Sequence, residues 1–464
     1  MINFSEAQKR VEYLESAIQT TVVLIDLAEE ILSVEKLCRK IKWGAGVARS
    51  LVLRAYLEDS YGRIENSSKL YRSARRIAVA ENLERSVLDC DYGLSLKIIL
   101  SGNIRQAYFF VKKTLERSFK IGYTFRLAYC NLNLGGISQR AAFEEETLNF
   151  YENALSIARQ NGYKKLESAI YDELSGLFLN KENYEVAERY IRKSAVINRQ
   201  LDHISNLLKS EIRLVTILLA KNDLRKAKQK LEQIRKQQKE VGPVTQGTLL
   251  LCEARVSWKQ KQYSNAEVLF RHAHTIFHNY GRVSLIANTY QQQCEMYLST
   301  KNFKSAIKYA SLSLSSGQKS QDNFLIAESY KLLYESNKLA GNPKQSLRYL
   351  EKYNETRKSN DLDLLNKRLE FIELKTDYEK QQAEIDEEKK KAEMLRLELE
   401  QKERELTEKT RHLIKQTEAV AQFRDDLRAI LRRTPGDDPL VKDVKERLKS
   451  FPEEQLNWIE FDKL

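Results

Sequence analysis

Small side chains recur along this chain every 40 residues. One row reads Ser67, Ala107, Thr147, Ala187, Ala227, Ala266, Ala306 and Ser346, with a single shorter step. Twelve positions earlier runs a second row: Ala55, Ser95, Gly135, Ser175, Val215, Ala254, Cys294 and Tyr334. Seven positions later runs a third: Ala74, Thr114, Ala154, Ser194, Ile234, Ala273, Ser313 and Tyr353. Bulky residues usually stand three before the central small one (Ile64, Ile104, Tyr184, Leu224, Tyr263, Phe303) and often four after it (Tyr71, Val111, Tyr151, Ile191, Leu231, Phe270). Offsets of three, four and seven place residues on one face of a helix. The small ones let two helices approach, and the bulky ones fill the groove between neighbouring pairs. The pattern predicts one helical hairpin per period, stacked into a solenoid.

Turn signals fall where such hairpins need them. Ser101-Gly102-Asn103, Lys181-Glu182-Asn183, Lys221-Asn222-Asp223, Lys301-Asn302 and Gly341-Asn342 precede the second helices. Asn and Asp there can accept the free N–H groups of a helix start. Asn161-Gly162, Val241-Gly242-Pro243 and Tyr280-Gly281 separate hairpins, with glycine suited to the left-handed residue past a helix end. No proline precedes Pro243, which fits nearly continuous helix.

Residues 1–43 read as a helical cap or degenerate repeat, and residues 44–358 as eight repeats. A helix free of proline and glycine is predicted over 362–433. It carries the heptad series Phe371, Tyr378, Ile385, Ala392, Leu399, Leu406, Leu413, Val420 and Leu427, the spacing of a coiled-coil seam. We expect dimerisation through this series, Ala392 aside. The companion seam mixes Leu374, Leu395, Phe423 and Ile430 with Gln381, Glu388, Lys402, Lys409 and Gln416, which weakens the middle. Thr434 to Pro439 breaks the helix. Residues 434–464 then read as short helices ending on Leu456, Trp458, Ile459, Phe461 and Leu464, a pattern that stops unfinished.

The repeat resembles the tetratricopeptide repeat (TPR), in its long-helix variety found in MalT-like regulators, kinesin light chains and bacterial peptide-sensing proteins. The resemblance implies an all-α superhelical solenoid, here followed by a coiled-coil helix and short C-terminal helices. It also implies a concave face of first helices that holds peptide ligands. Carried onto this sequence, the matching positions are Arg49, Tyr129, Lys209, Arg255, Asn288 and Lys331. Cations suit ligand carboxylates and Asn suits a peptide backbone. Glu295, Glu328 and Glu335 fall nearby, so no uniform clamp repeats. The order solenoid, coil, then the Trp458–Phe461 segment resembles the TPR–coiled-coil–LuxR-type regulators of Bacteroidota, without their helix-turn-helix. That implies the sensory and dimerisation part of a transcription regulator. A scaffold or adaptor, or the input half of a sensor kinase, are the alternatives.

Composition narrows the picture. The chain has 464 residues and a net charge of +13, with a mean hydropathy of −0.55. No apolar run approaches the ~20 residues of a membrane span, and MINFSEAQKR lacks a signal-peptide layout, so a cytoplasmic location and no membrane partner are expected. Residues 1–360 hold 56 Lys and Arg against 38 Asp and Glu, and residues 361–464 hold 22 against 27. The basic solenoid admits an acidic ligand. Basic runs at Arg72–Arg76 and Lys226–Lys239 carry aliphatics at helical spacing and read as solvated faces. Direct nucleic-acid binding by this chain alone is therefore not expected.

No P-loop, GxGxxG, GxSxG or HExxH motif occurs, so we expect no enzyme, no catalytic residue and no cofactor. His274 and His278 stand four apart without a third ligand, and no metal site is expected. His412 lacks the acidic neighbour of a phosphorylated histidine. The five scattered cysteines (Cys38, Cys90, Cys130, Cys252, Cys294) read as reduced and packed.

Overall fold

The computed structural model describes residues 4–20, 27–61, 63–101, 103–237, 242–433 and 439–450. Gly102, Val241, the break at 434–438 and the Trp458–Phe461 segment lie outside the described residues. Two compact units result, Met1–Lys375 and Thr376–Leu464.

The first unit is a solenoid. After α1 (Phe4–Thr20) and α2 (Ala28–Lys40), eight hairpins follow. Their first helices are α3 (Gly44–Ser60), α5 (Glu84–Leu100), α7 (Thr124–Arg140), α9 (Lys164–Asn180), α11 (Ile204–Ala220), α13 (Pro243–Lys259), α15 (Val283–Ser299) and α17 (Asn323–Leu339). Their second helices are α4 (Ile64–Ala80), α6 (Ile104–Lys120), α8 (Glu144–Gln160), α10 (Tyr184–Gln200), α12 (Leu224–Gln237), α14 (Tyr263–Asn279), α16 (Phe303–Ser320) and the start of α18 (Pro343–Arg433). The described residues are helical throughout apart from turns and contain no strand.

The small-residue rows explain the stacking. All eight central residues are buried, from Ala187 at 0 % exposure to Ser346 at 6 %. They face the earlier row: Ser175 Oγ donates to the Ala187 carbonyl at 2.9 Å, and Ser346 Oγ to the Tyr334 carbonyl at 3.3 Å. The later row meets the next hairpin, with Ser194 Oγ 3.1 Å from Ser210 Oγ and Ser313 Oγ 2.7 Å from Ser329 Oγ. Only Tyr334 and Tyr353 of the last repeat are half-buried rather than buried, because no further hairpin covers them. Helix starts are fixed by the expected caps: Asn103, Asn183, Asp223 and Asn302 each accept a backbone N–H three residues on.

One ladder position is a sharp test. A Cβ on Gly135 would lie 2.4 Å from the ring of Tyr151, which is 1 % exposed. Gly135→Ala should cost about 1–3 kcal/mol through overpacking, although alanine is the better helix former. A higher urea midpoint for this variant would contradict the close approach.

Consecutive first helices touch one another along much of the array (α3–α5, α5–α7, α11–α13, α13–α15, α15–α17), so they line the inner surface. Charge is sorted between the layers. The eight first helices carry 14 Lys and Arg against 13 Asp and Glu, a surplus of one. The eight second helices, with α18 counted to residue 360, carry 29 against 12, a surplus of 17. The basic character read from composition therefore belongs almost wholly to the outer layer.

The start of α18 does more than close the last hairpin. Asn360 Nδ2 donates to the Asn323 carbonyl at 3.1 Å. Phe371 is 2 % exposed, with ring centroids 5.3 Å from Tyr108 and 4.9 Å from Phe143. Leu374 is equally buried, and Lys375 pairs with Glu146 at 3.7 Å. This corrects the reading of Phe371 as a dimerisation residue: its ring is already enclosed by α6 and the start of α8, and the compact unit runs to Lys375.

In the second unit, Tyr378 is 4 % exposed. Ile385, Leu399, Leu406, Leu413 and Val420 are exposed by 41–64 %, and Leu427 is half-buried. A last helix, α19 (Pro439–Ser450), shares a small cavity with the end of α18, between Leu431 and Leu448. No helix is long and apolar enough to cross a membrane among the described residues.

Candidate functional site

The six candidate residues sit on six first helices and do not converge on one point. Arg49 on α3 is already engaged: its guanidinium donates to both carboxylate oxygens of Glu15 on α1, at 2.7 and 2.5 Å. Tyr129 on α7 is half-buried, edge-on to Tyr92 and Phe125 at 5.6 and 5.0 Å. Lys209 on α11 is exposed and borders a small cavity with Asp172, Asn198 and Ser210. Arg255 on α13 is half-buried and exerts its field on Glu295, whose carboxyl is pushed up chiefly by burial. Asn288 on α15 accepts from Gln292 at 2.6 Å, and Lys331 on α17 lies 4.0 Å from Glu328.

Near Lys209 the surface is built from shared polar groups. Ser168, Ser194, Asn198 and Ser210 form one buried network, with bonds of 2.8–3.3 Å. Beside it Arg213 reaches back over Gly176 to the Asp172 carbonyl at 2.5 Å and its carboxylate at 3.3 Å. Burial pushes the Asp172 and Glu173 carboxyls up. Asp172 Oδ1 and, on α15, Gln292 Oε1 are buried acceptors with no hydrogen-bond partner among the described residues.

The strongest constellation was not among the six. Arg126 on α7 is 1 % exposed. It donates to Asp89 on α5 at 3.0 and 2.6 Å, and to the hydroxyl of Tyr56 on α3. Its guanidinium lies 4.0 Å from the centroid of Tyr92, within cation–π range. Tyr123 donates to the same Asp89 at 3.0 Å. The signal was present in the sequence: the corresponding positions one repeat away are Ser86 and Leu166, both buried, so an arginine in that slot demanded a partner.

Above this cluster opens a cavity of about 540 Å³. Its walls come from α3, from the N-terminal ends of α5 and α7, and from Glu15 and Ile18 of α1. Phe4 of α1 packs on Trp43 at 4.9 Å, while α1 also touches α9. The helix expected to cap the array therefore crosses the inner surface as well.

Other charges are spent on structure. Five buried carboxylates are each clasped by cations: Glu35 by Arg39 and Arg54, Asp91 by Arg75 and Arg117, Glu167 by Arg159 and Lys164, Glu211 by Arg199 and Lys230, and Glu253 by Arg235. From Asp91 onward, each acid stands on a first helix and takes an arginine from the preceding second helix. These clasps pin hairpin to hairpin, and they consume part of the basic runs at 72–76 and 226–239.

Burial pushes the Glu167 carboxyl up, but hydrogen bonds and charge from Lys164 and Arg159 outweigh it and hold it below the usual value of 4.5. A lowered folded value contributes stability that is full above the unfolded value and is lost as pH falls through the folded one. Glu167→Gln should therefore destabilise the chain at neutral pH, with the gap to wild type closing as urea midpoints are followed down to about pH 3. A gap constant with pH would refute the ionised clasp.

His274 and His278 have ring centroids 6.1 Å apart, and His274 Nε2 lies 2.7 Å from the Tyr290 hydroxyl. No group of three or more His, Cys, Asp or Glu that could hold a metal occurs among the described residues. All five cysteines are buried and free, and burial pushes the Cys294 thiol up to about 12, far from the thiolate form that reacts.

This architecture is that of the TPR-like helical-repeat proteins. Solved structures with a similar fold include the apo form of RapI, at 13 % identity and TM-score 0.53 over 76 % of this chain and 98 % of that one. Another is a Rap protein complexed with Competence and Sporulation Factor, at 11 % identity and TM-score 0.50 over 78 % and 100 %. No protein-family model and no curated protein matches the chain.

Proposed function

We propose that this chain is a non-catalytic module that binds a protein or peptide on its first-helix surface and self-associates through the exposed heptads of α18. In this reading it is the sensory and dimerisation part of a cytoplasmic transcription regulator. The sorting of charge carries the proposal. With the buried Asp91, Glu167, Glu211, Glu253 and Arg126 left out, the eight first helices hold 13 Lys and Arg against 9 Asp and Glu, a modest surplus of four that suits a peptide rather than a polyanion. The Rap protein complexed with Competence and Sporulation Factor lends support, as a protein of similar fold with a bound factor.

The test is paired charge reversal, Lys209→Glu with Arg255→Glu. Capture of the partner should weaken about tenfold or more, with the helical circular-dichroism signal unchanged. Unaltered capture would remove these residues from the binding surface. A scaffold reading draws on a different observation, the 17 surplus positive charges of the second helices, which offer an acidic partner a surface of its own.

A further inference from the structure

We propose that the 540 Å³ cavity beneath α1 binds a free carboxylate carried on an aromatic or apolar group, as at the C-terminus of a peptide, with Arg85 as its anchor. This rests on the peptide-binding reading above and assigns it a second place on the inner surface. Three carboxylates line the cavity and each is paired with a cation, Glu84 sharing Arg117 with Asp91, which also holds Arg75. Glu15 pairs with Arg49 at 2.5 Å, Glu84 with Arg117 at 2.7 Å and Asp89 with Arg126 at 2.6 Å. Arg85 lines the same space. Its guanidinium lies 5.5 Å from the Tyr123 centroid, and it has no carboxylate partner among the described residues.

The cavity therefore has one cation to spare. A monoanion balances it. A phosphate group, with a charge near −2 at neutral pH, would bring excess negative charge beside three carboxylates. The rest of the wall selects for apolar bulk: Ile18, Val52, Leu53 and Phe125 are buried, and Tyr56 and Tyr123 are half-buried. The volume falls within the ~300–1,000 Å³ of small-ligand sites, room for a terminal residue and its neighbour. A ligand carboxylate on Arg85 would lie beside the Tyr123 ring, and an aromatic ligand side chain could pack against Phe125.

The test uses the full chain and four probes: N-acetyl-Leu-Leu-Phe as free acid, its C-terminal amide, 3-phenylpropanoate and inorganic phosphate. Binding is read by equilibrium dialysis. The free acid should be retained about tenfold more tightly than the amide, the scale of one charge-assisted hydrogen bond. Arg85→Gln should bring the acid down to the level of the amide without changing the amide. Glu15→Gln frees Arg49 and should raise affinity for the acid several-fold, a gain that misfolding cannot imitate. Retention of 3-phenylpropanoate at the level of the peptide acid would support the site and assign it to small acids. Equal retention of acid and amide, or Arg85-dependent retention of phosphate instead, would overturn the proposal. If peptide binding persists but responds to Lys209→Glu and Arg255→Glu rather than Arg85→Gln, this site falls and the general reading stands. If no peptide is retained, both fall.

Discussion

Removing both cations that clasp Glu211, by Arg199→Met with Lys230→Met, should destabilise the middle of the array by about 3–5 kcal/mol, the cost of stranding a buried charge. The Glu211 side chain is 3 % exposed, so water cannot replace what the cations supply. The reverse change should be milder. Glu211→Leu removes the buried charge itself and leaves Arg199, whose side chain is 58 % exposed, free to be solvated. Adding Glu211→Leu to the double variant should therefore restore most of the stability. Because each repeat contacts mainly its neighbours, the loss should appear first as faster hydrogen exchange in α10, α11 and α12. Uniform loss over all repeats, or no rescue by Glu211→Leu, would refute the clasp as the cause.

Phe371→Ala should cost a similar amount, about 3–5 kcal/mol for emptying an enclosed aromatic site, and should do so without changing the oligomeric state. The ring is held between Tyr108 and Phe143, while neighbours on the opposite face such as Leu365 and Leu369 are 50–51 % exposed. Its loss should release the stretch from Asn360 to Lys375, seen as proteolytic cleavage there. Removing residues 376–464 should instead abolish a dimer seen by light scattering, because Leu399, Leu406, Leu413 and Val420 lie in that part. A Phe371→Ala chain that loses self-association would return this residue to the seam. A full chain that is monomeric would end the coiled-coil proposal altogether.

Much of the fold was legible because it is written in one dimension. A helix repeats its faces every few residues, so a period of small and bulky side chains reports directly on which positions are buried. The caps at Asn103, Asn183, Asp223 and Asn302 are equally local, since a side chain needs only to reach an N–H three residues on. The candidate site was less legible. Register placed Arg49 and Lys209 on first helices, but it could not say that Glu15 closes the first while the second stays exposed.

The sequence by itself determined the element type, the repeat and the buried rows, all of which depend on spacing within one hairpin. Only the tertiary structure decided how the charges are spent, that Phe371 is an internal anchor, and that Arg126 meets a tyrosine 70 residues away. The physical reason is the same in each case. Pairing energies belong to groups that distant segments bring together, and a seam of apolar residues looks identical in sequence whether its partner is a second chain or an earlier repeat of its own.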